Sequence, residues 1–164
     1  MSSAEARLHR NARRAQEALE QAGLETMVRQ LDGSARTVAD AAATLGVLEG
    51  QIAKSLVFMA GDEAVLVVAS GDERVDTGKL SEMHGERVTR ANADQVRAAT
   101  GYPIGGVSPA GLPDSLAVYV ERSLARWEVV WAAAGTPHTV FPATFDELLR
   151  LTGGVPSDVG HAPS

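Results

Sequence analysis

Apolar residues recur along the chain at two periods, and together they predict a mixture of helices and strands. Leu8, Ala12, Ala15, Leu19 and Ala22 lie at helical spacing and predict an amphipathic helix over residues 3–23, ended by Gly23. Met27, Val28 and Leu31 predict a short strand over residues 25–31, and Asp32-Gly33-Ser34 a turn after it. Thr37 with Asp40 has the spacing of a capping box, and Val38, Ala41, Ala42 and Leu45 give the second helix one apolar face before Gly46 closes it. Residues 53–59 and 64–69 flank Gly61-Asp62-Glu63 and predict a β-hairpin whose second arm, Val65-Leu66-Val67-Val68, is apolar throughout, as a central strand would be.

Two short helices follow over residues 76–84 and 92–100, each ended by glycine, with a strand around Val88 between them. Strands over 116–120, 129–134 and 138–141 come next, with a helical turn over 123–127. A capping box of Thr144 and Glu147 opens a last helix carrying Phe145, Leu148, Leu149 and Leu151. Residues 155–164, rich in Pro, Gly and Ser, predict a flexible tail. Strict strand–helix alternation is missing, so the expectation is α+β: a compact single domain over residues 1–154 on a mixed, partly closed sheet flanked by helices.

Two stretches break this pattern. Lys54 interrupts Ile52-Ala53-Lys54-Ser55-Leu56-Val57-Phe58, where an apolar strand is expected. A strand lysine ordinarily leaves a sheet edge for solvent, whereas one held in an apolar pocket needs an anionic or strongly polar partner. The second stretch is residues 101–113, with four glycines and three prolines in thirteen positions, a composition that excludes helix and central strand. It is either a tight connection or a loop whose successive amides cradle an anion or a polarised carbonyl oxygen.

Composition narrows the chemistry. Over 164 residues with 45% hydrophobic content the chain can bury one core, and with no cysteine it has neither disulfides, nor thiolate metal sites, nor a cysteine nucleophile. The apolar runs are too short to span a bilayer, so no membrane partner is expected and the expected compartment is the cytoplasm. A net charge of −6 argues against broad binding along DNA or another phosphate backbone. Yet Arg7, Arg10, Arg13 and Arg14, with His9, crowd the first helix, either as a solvated face or as a weak contact for RNA phosphates.

His9, His84, His138 and His161 lack metal-ligand spacing, and the phosphate-loop, dinucleotide and Gly-x-Ser-x-Gly signatures are missing, so neither metal nor cofactor is expected. Ser108 is followed at once by Pro109 and has no indicated His-and-acid pairing. What remains is Lys54, Ser55, the amides around Gly105 and Gly106, Ser108 and His138, a set suited to stabilising an oxyanion.

Four blocks carry a family resemblance: residues 34–42, then Gln51-Ile52-Ala53-Lys54-Ser55-Leu56-Val57-Phe58, then residues 101–109, then Ala134-Gly135-Thr136-Pro137-His138-Thr139-Val140-Phe141. In this order and spacing they resemble the YbaK-type aminoacyl-tRNA editing domain, which also occurs inserted in bacterial prolyl-tRNA synthetases. The resemblance spans about residues 20–155. It implies a free-standing deacylase that hydrolyses the ester of a small amino acid on a mischarged tRNA, with the acceptor end of the tRNA as substrate and a synthetase as a further partner. It implies that Lys54 anchors the substrate, that Gly105 and Gly106 act with it, and that water assisted by a substrate ribose hydroxyl is the nucleophile. Ser55, Phe58, Gly101, Ile104, Val107, Ser108, Pro109, Gly135 and His138 are then expected around the aminoacyl group and the terminal ribose. The alternative is the same fold binding an aminoacyl-adenosine-like ligand or a synthetase without turnover.

Overall fold

The computed structural model describes residues 9–33 and 35–161. Helix α1 (Arg10–Gln21) buries Ala12, Ala15 and Leu19 completely, and the Leu19 side chain alone contributes about 1.5–3 kcal/mol by leaving water. Arg7 and Leu8 lie outside the described residues. The strand expected over 25–31 is reduced to β1 (Arg29–Gln30). Helix α2 (Val38–Leu45) is capped by the Thr37 hydroxyl, which accepts from Asp40 N, and by left-handed Gly46.

The hairpin is β2 (Ile52–Ala60) and β3 (Glu63–Ser70), paired in register from Ala53↔Ser70 to Ala60↔Glu63. Then come β4 (Arg74–Val75), α3 (Thr77–His84), β5 (Thr89–Arg90) and α4 (Ala93–Thr100). After the glycine-rich loop the chain forms β6 (Ala117–Glu121), a 3-10 turn (Arg122–Arg126), β7 (Val130–Ala133), β8 (Thr139–Ala143) and α5 (Phe145–Thr152), which opens on the predicted Thr144/Glu147 box.

One mixed sheet organises the molecule, with the strand order β1-β8-β7-β2-β3-β6-β9, where β9 is Val155–Ser157, and β5 paired to β2 off that path. Strand β3 lies inside it beside the middle strand β2, with Val65 to Val68 fully buried between a core under α1 and α5 and a second cluster holding Phe58, Leu80 and Val88. The architecture is therefore α+β, as the sequence predicts. Among the described residues no helix is long and apolar enough to cross a membrane.

Residues expected in the flexible tail instead form β9 (Val155–Ser157), parallel to β6, and β10 (Gly160–His161), antiparallel to β4. The physical reason is that β9 is an edge strand, where Pro156 removes no ladder bond the sheet needs, and Glu121 Oε2 accepts from both Val159 N and Gly160 N.

Candidate functional site

Strand β2 meets two different strands along one edge. Ile52 and Ala53 pair with β7, Phe58 and Met59 pair with β5, and between them residues 54–56 have no strand partner on that side. The sheet forks here, and a cavity of about 230 Å³ occupies the fork. Its walls come from Ala35 to Val38 before and at the start of α2, from β2, from Arg90 and Ala91, from Ile104, Gly105 and Val107 of the glycine-rich loop, and from Trp131 of β7.

Lys54 lies in an interior strand, so it does not take the ordinary route of an edge lysine into solvent. Half-buried, its Nζ donates to the main-chain oxygen of Glu73 at 2.5 Å. Burial, and after it the charge of Arg90, holds the Lys54 amine below the ordinary lysine value, while Asp72 and Glu73 pull it back up. The turn that carries the Glu73 carbonyl is itself braced: Arg126 Nη2 donates to Asp72 Oδ1 at 2.6 Å and to Ser70 Oγ at 3.0 Å.

Among the described residues the cavity wall carries Arg36, Lys54 and Arg90 and no carboxylate. These donors suit an anionic or carbonyl-rich ligand, with Asp72 and Glu73 behind Lys54 offsetting part of the charge. No group of three or more His, Cys, Asp or Glu among the described residues is placed to hold a metal ion.

A family model described as the aminoacyl-tRNA editing domain matches residues 32–151, which hold the β2 lysine, the glycine-rich loop and all the cavity walls. The chain belongs to that family. This editing domain is similar, at 42% identity and TM-score 0.88 over 94% of this chain and 99% of the other, to a crystal structure of a protein proposed to be a trans-editing enzyme for prolyl tRNA synthetase. It is 38% identical over 129 residues, 78% of this chain and 82% of the relative, to the uncharacterized protein YwhH of Bacillus subtilis. It is 28% identical over 123 residues, 74% of this chain and 73% of the relative, to a protein of Enterococcus faecalis proposed to be the Cys-tRNA(Pro)/Cys-tRNA(Cys) deacylase EbsC.

Of the residues expected at the editing site, the structure brings Lys54, Ser55, Ile104, Gly105 and Val107 together around the cavity. Others build its frame instead. Phe58 is buried in the second core cluster beneath Arg90, whose guanidinium lies 5.9 Å from the ring centroid, because β5 covers β2 at that point. The Gly106 amide donates to Pro103 O at 3.0 Å, so it closes a turn and is not offered to an oxyanion. A Cβ on Gly106 would meet Gly135 O at 2.9 Å, which shows how closely the loop packs on the turn at Gly135.

Ser108 and Pro109 are buried inside the glycine-rich loop, where Ser108 Oγ accepts from Ala110 N at 3.1 Å. Gly101, at φ +77°, caps α4, and a Cβ there would strike Arg14. Gly135 and His138 sit outside the cavity, in a turn whose Pro137 oxygen accepts from Ala35 N at 2.7 Å and so fixes the wall opposite β2. His138 itself is exposed, its Nδ1 3.3 Å from Gly33 O.

The arginine group on α1 divides. Arg10 and Arg13 are exposed, but Arg14 turns inward: its guanidinium lies 4.3 Å from the centroid of the Tyr102 ring and donates to Thr100 O at 2.9 Å and to Gly111 O. That is a clamp on the glycine-rich loop, so Arg14 has left the solvent-facing set proposed to touch RNA. Sequence reasoning missed Arg36, Arg90, Thr37 and Trp131 as cavity residues. The Trp131 ring, 5.0 Å from the Arg29 guanidinium, was legible only as a strand residue.

Proposed function

We propose that this editing-domain protein, an aminoacyl-tRNA deacylase, hydrolyses the ester of a small amino acid on a mischarged tRNA within the cavity at the fork of β2. The observation that carries the reading is a largely apolar cavity of about 230 Å³ whose charged wall residues, among the described residues, are cations. Its apolar walls accept a short side chain, while Arg36, Lys54 and Arg90 face the oxygen-rich acceptor end of the tRNA.

In this reading Lys54, seated on Glu73 O, anchors the aminoacyl-ribose and draws electron density from the ester carbonyl. The Gly105 amide, which like those of Ile104 and Val107 has no backbone partner among the described residues, is the loop donor assigned here to the oxyanion. Water attacks the ester carbon, the bond from that carbon to the ribose oxygen breaks, and the free amino acid and the tRNA hydroxyl leave. The described wall residues include no carboxylate and no imidazole, so the proton of the attacking water passes, relayed by the substrate's neighbouring ribose hydroxyl or by solvent, to the departing ribose oxygen. Arg10 and Arg13 give weak, salt-sensitive contacts to the acceptor stem, and a synthetase is the further partner.

The test is deacylation of tRNAs charged with alanine, cysteine, serine, threonine and proline by wild type and Lys54→Ala. Hydrolysis of one or a few members that is lost in the variant supports the reading and names the amino acid. Hydrolysis of none above the spontaneous rate, by folded protein, returns the cavity to a binding module without turnover.

A further inference from the structure

The cavity wall is rich in donors and poor in acceptors. Among the described residues its polar side chains are Arg36, Thr37, Lys54, Ser55, Arg90 and Trp131. Lysine, arginine and tryptophan side chains only donate, and the Thr37 oxygen already accepts from Asp40 N at 3.0 Å. Ser55 is different. Its Oγ is buried and has no hydrogen-bond partner among the described residues.

The main chain of Ser55 points the same way. Ile52 O accepts from Gly71 N, on the β3 side of β2, whereas Val57 O accepts from Ala91 N, on the β5 side. Main-chain groups alternate sides along a strand, so Ser55 shares the direction of Val57, and its N–H and C=O face the fork where no strand pairs with it. A buried polar group left without a partner destabilises the folded chain, and its persistence at a cavity calls for a ligand group that completes it.

We propose that Ser55 reads the α-amino group of the aminoacyl ester, its main-chain oxygen accepting one amine hydrogen and its Oγ, closed off from the cavity as it stands, turning to accept another. This rests on the editing reading of the cavity. The three cations there serve the ester and ribose oxygens but cannot accept from an amine, so Ser55 supplies the wall's complement to the one strong donor that every aminoacyl group carries. Recognition by a main-chain oxygen and a small hydroxyl is indifferent to the amino-acid side chain, which is left to the apolar walls.

The experiment compares alanyl-tRNA with propionyl-tRNA, which has the same carbon chain and no amine, each rate divided by spontaneous hydrolysis. Binding of the uncleavable 3′-amide analogues, alanylamino- and propionylamino-adenosine, is measured in parallel so that the comparison stands without turnover. Wild type prefers the amine-bearing compound by at least about tenfold. In Ser55→Ala that preference falls several-fold through weaker handling of the alanyl compound alone, while the melting temperature holds or rises because an unpaired buried hydroxyl has gone. A wild type that does not distinguish the two compounds overturns the proposal. So does a Ser55→Ala protein that handles both equally poorly with a lowered melting temperature, which would make the hydroxyl structural. Lys54→Ala that still deacylates at the wild-type rate would instead sink the editing reading of the cavity, a separate outcome from either.

Discussion

Lys54 hangs from the main-chain oxygen of Glu73, 2.5 Å away, and that oxygen belongs to a turn pinned by Arg126 through Asp72. The anchor of the cavity is thus positioned by a residue that does not line it. Arg126→Met is expected to lower stability by about 1 kcal/mol, since the Arg126–Asp72 pair is largely exposed, and to lower kcat several-fold with little change in KM. Arg126→Lys restores part of the rate. Thermal unfolding alongside deacylation kinetics checks both, and an unchanged kcat in Arg126→Met removes the positioning role.

The depressed Lys54 amine has a consequence for stability against pH. Its folded value lies below the ordinary 10.5, because burial and Arg90 disfavour the charge. Between the folded value and 10.5 the unfolded chain binds more protons, so stability from this group rises with pH across that window. Urea unfolding at a series of alkaline pH values should show this rise in wild type and its loss in Lys54→Met. If charged Lys54 anchors substrate, enzyme-dependent deacylation, after subtraction of the spontaneous rate, also declines at a pH below the ordinary lysine value.

Arg14 ties α1 to the glycine-rich loop by ring stacking on Tyr102 and by two carbonyl contacts. Arg14→Ala should cost about 2–3 kcal/mol and lower activity by loosening Ile104 to Val107. Arg14→Lys recovers little, since a point charge cannot stack and fork at once. Arg10→Ala and Arg13→Ala should leave the melting temperature in place and weaken tRNA binding only at low salt. Melting curves and salt-dependent binding separate these two roles of neighbouring arginines.

Gly106→Ala places a methyl group 2.9 Å from Gly135 O, backbone against backbone, where neither partner can turn aside. The loop must lift from the turn and carry Gly105 and Val107 with it. Deacylation should fall by at least about tenfold with the fold retained, because misplacing a reacting group by about 1 Å costs on the order of a hundredfold. Near-wild-type activity in that variant would show that the loop's seat on the turn does not set the cavity.

Much of this arrangement is legible in the chain. The unbroken run Val65 to Val68 reads as the sheet centre because it is buried on both faces, and Thr37, Asn92 and Thr144 read as helix starts because each offers a side-chain acceptor three residues before an amide. Lys54 is visible as a charge where the strand should be apolar. The fork is not visible, because it depends on β7 and β5 claiming opposite ends of β2 from some 30 to 80 positions downstream. Arg36 and Arg90 therefore look like ordinary surface cations. Phe58 looks like a wall because it shares the apolar block with Lys54, but β5 closes the edge before reaching it. The segment from Val155 onward looks like a tail because its composition is that of a loop, and only partners supplied by β6 and Glu121 order it.

That segment bears on when activity can begin. Strand β10 pairs with β4 directly after Glu73, and Asp76 N donates to Val159 O at 2.6 Å, so the turn on which Lys54 rests is stitched to residues made about 85 positions later. During synthesis on the ribosome, a chain that has reached the end of β8 already owns every wall of the cavity but lacks the stitch. The seat of Lys54 is therefore complete only once residue 161 has been made, and a chain cut after α5 is expected to keep the cavity walls and the Arg126 brace while losing this second support of the turn.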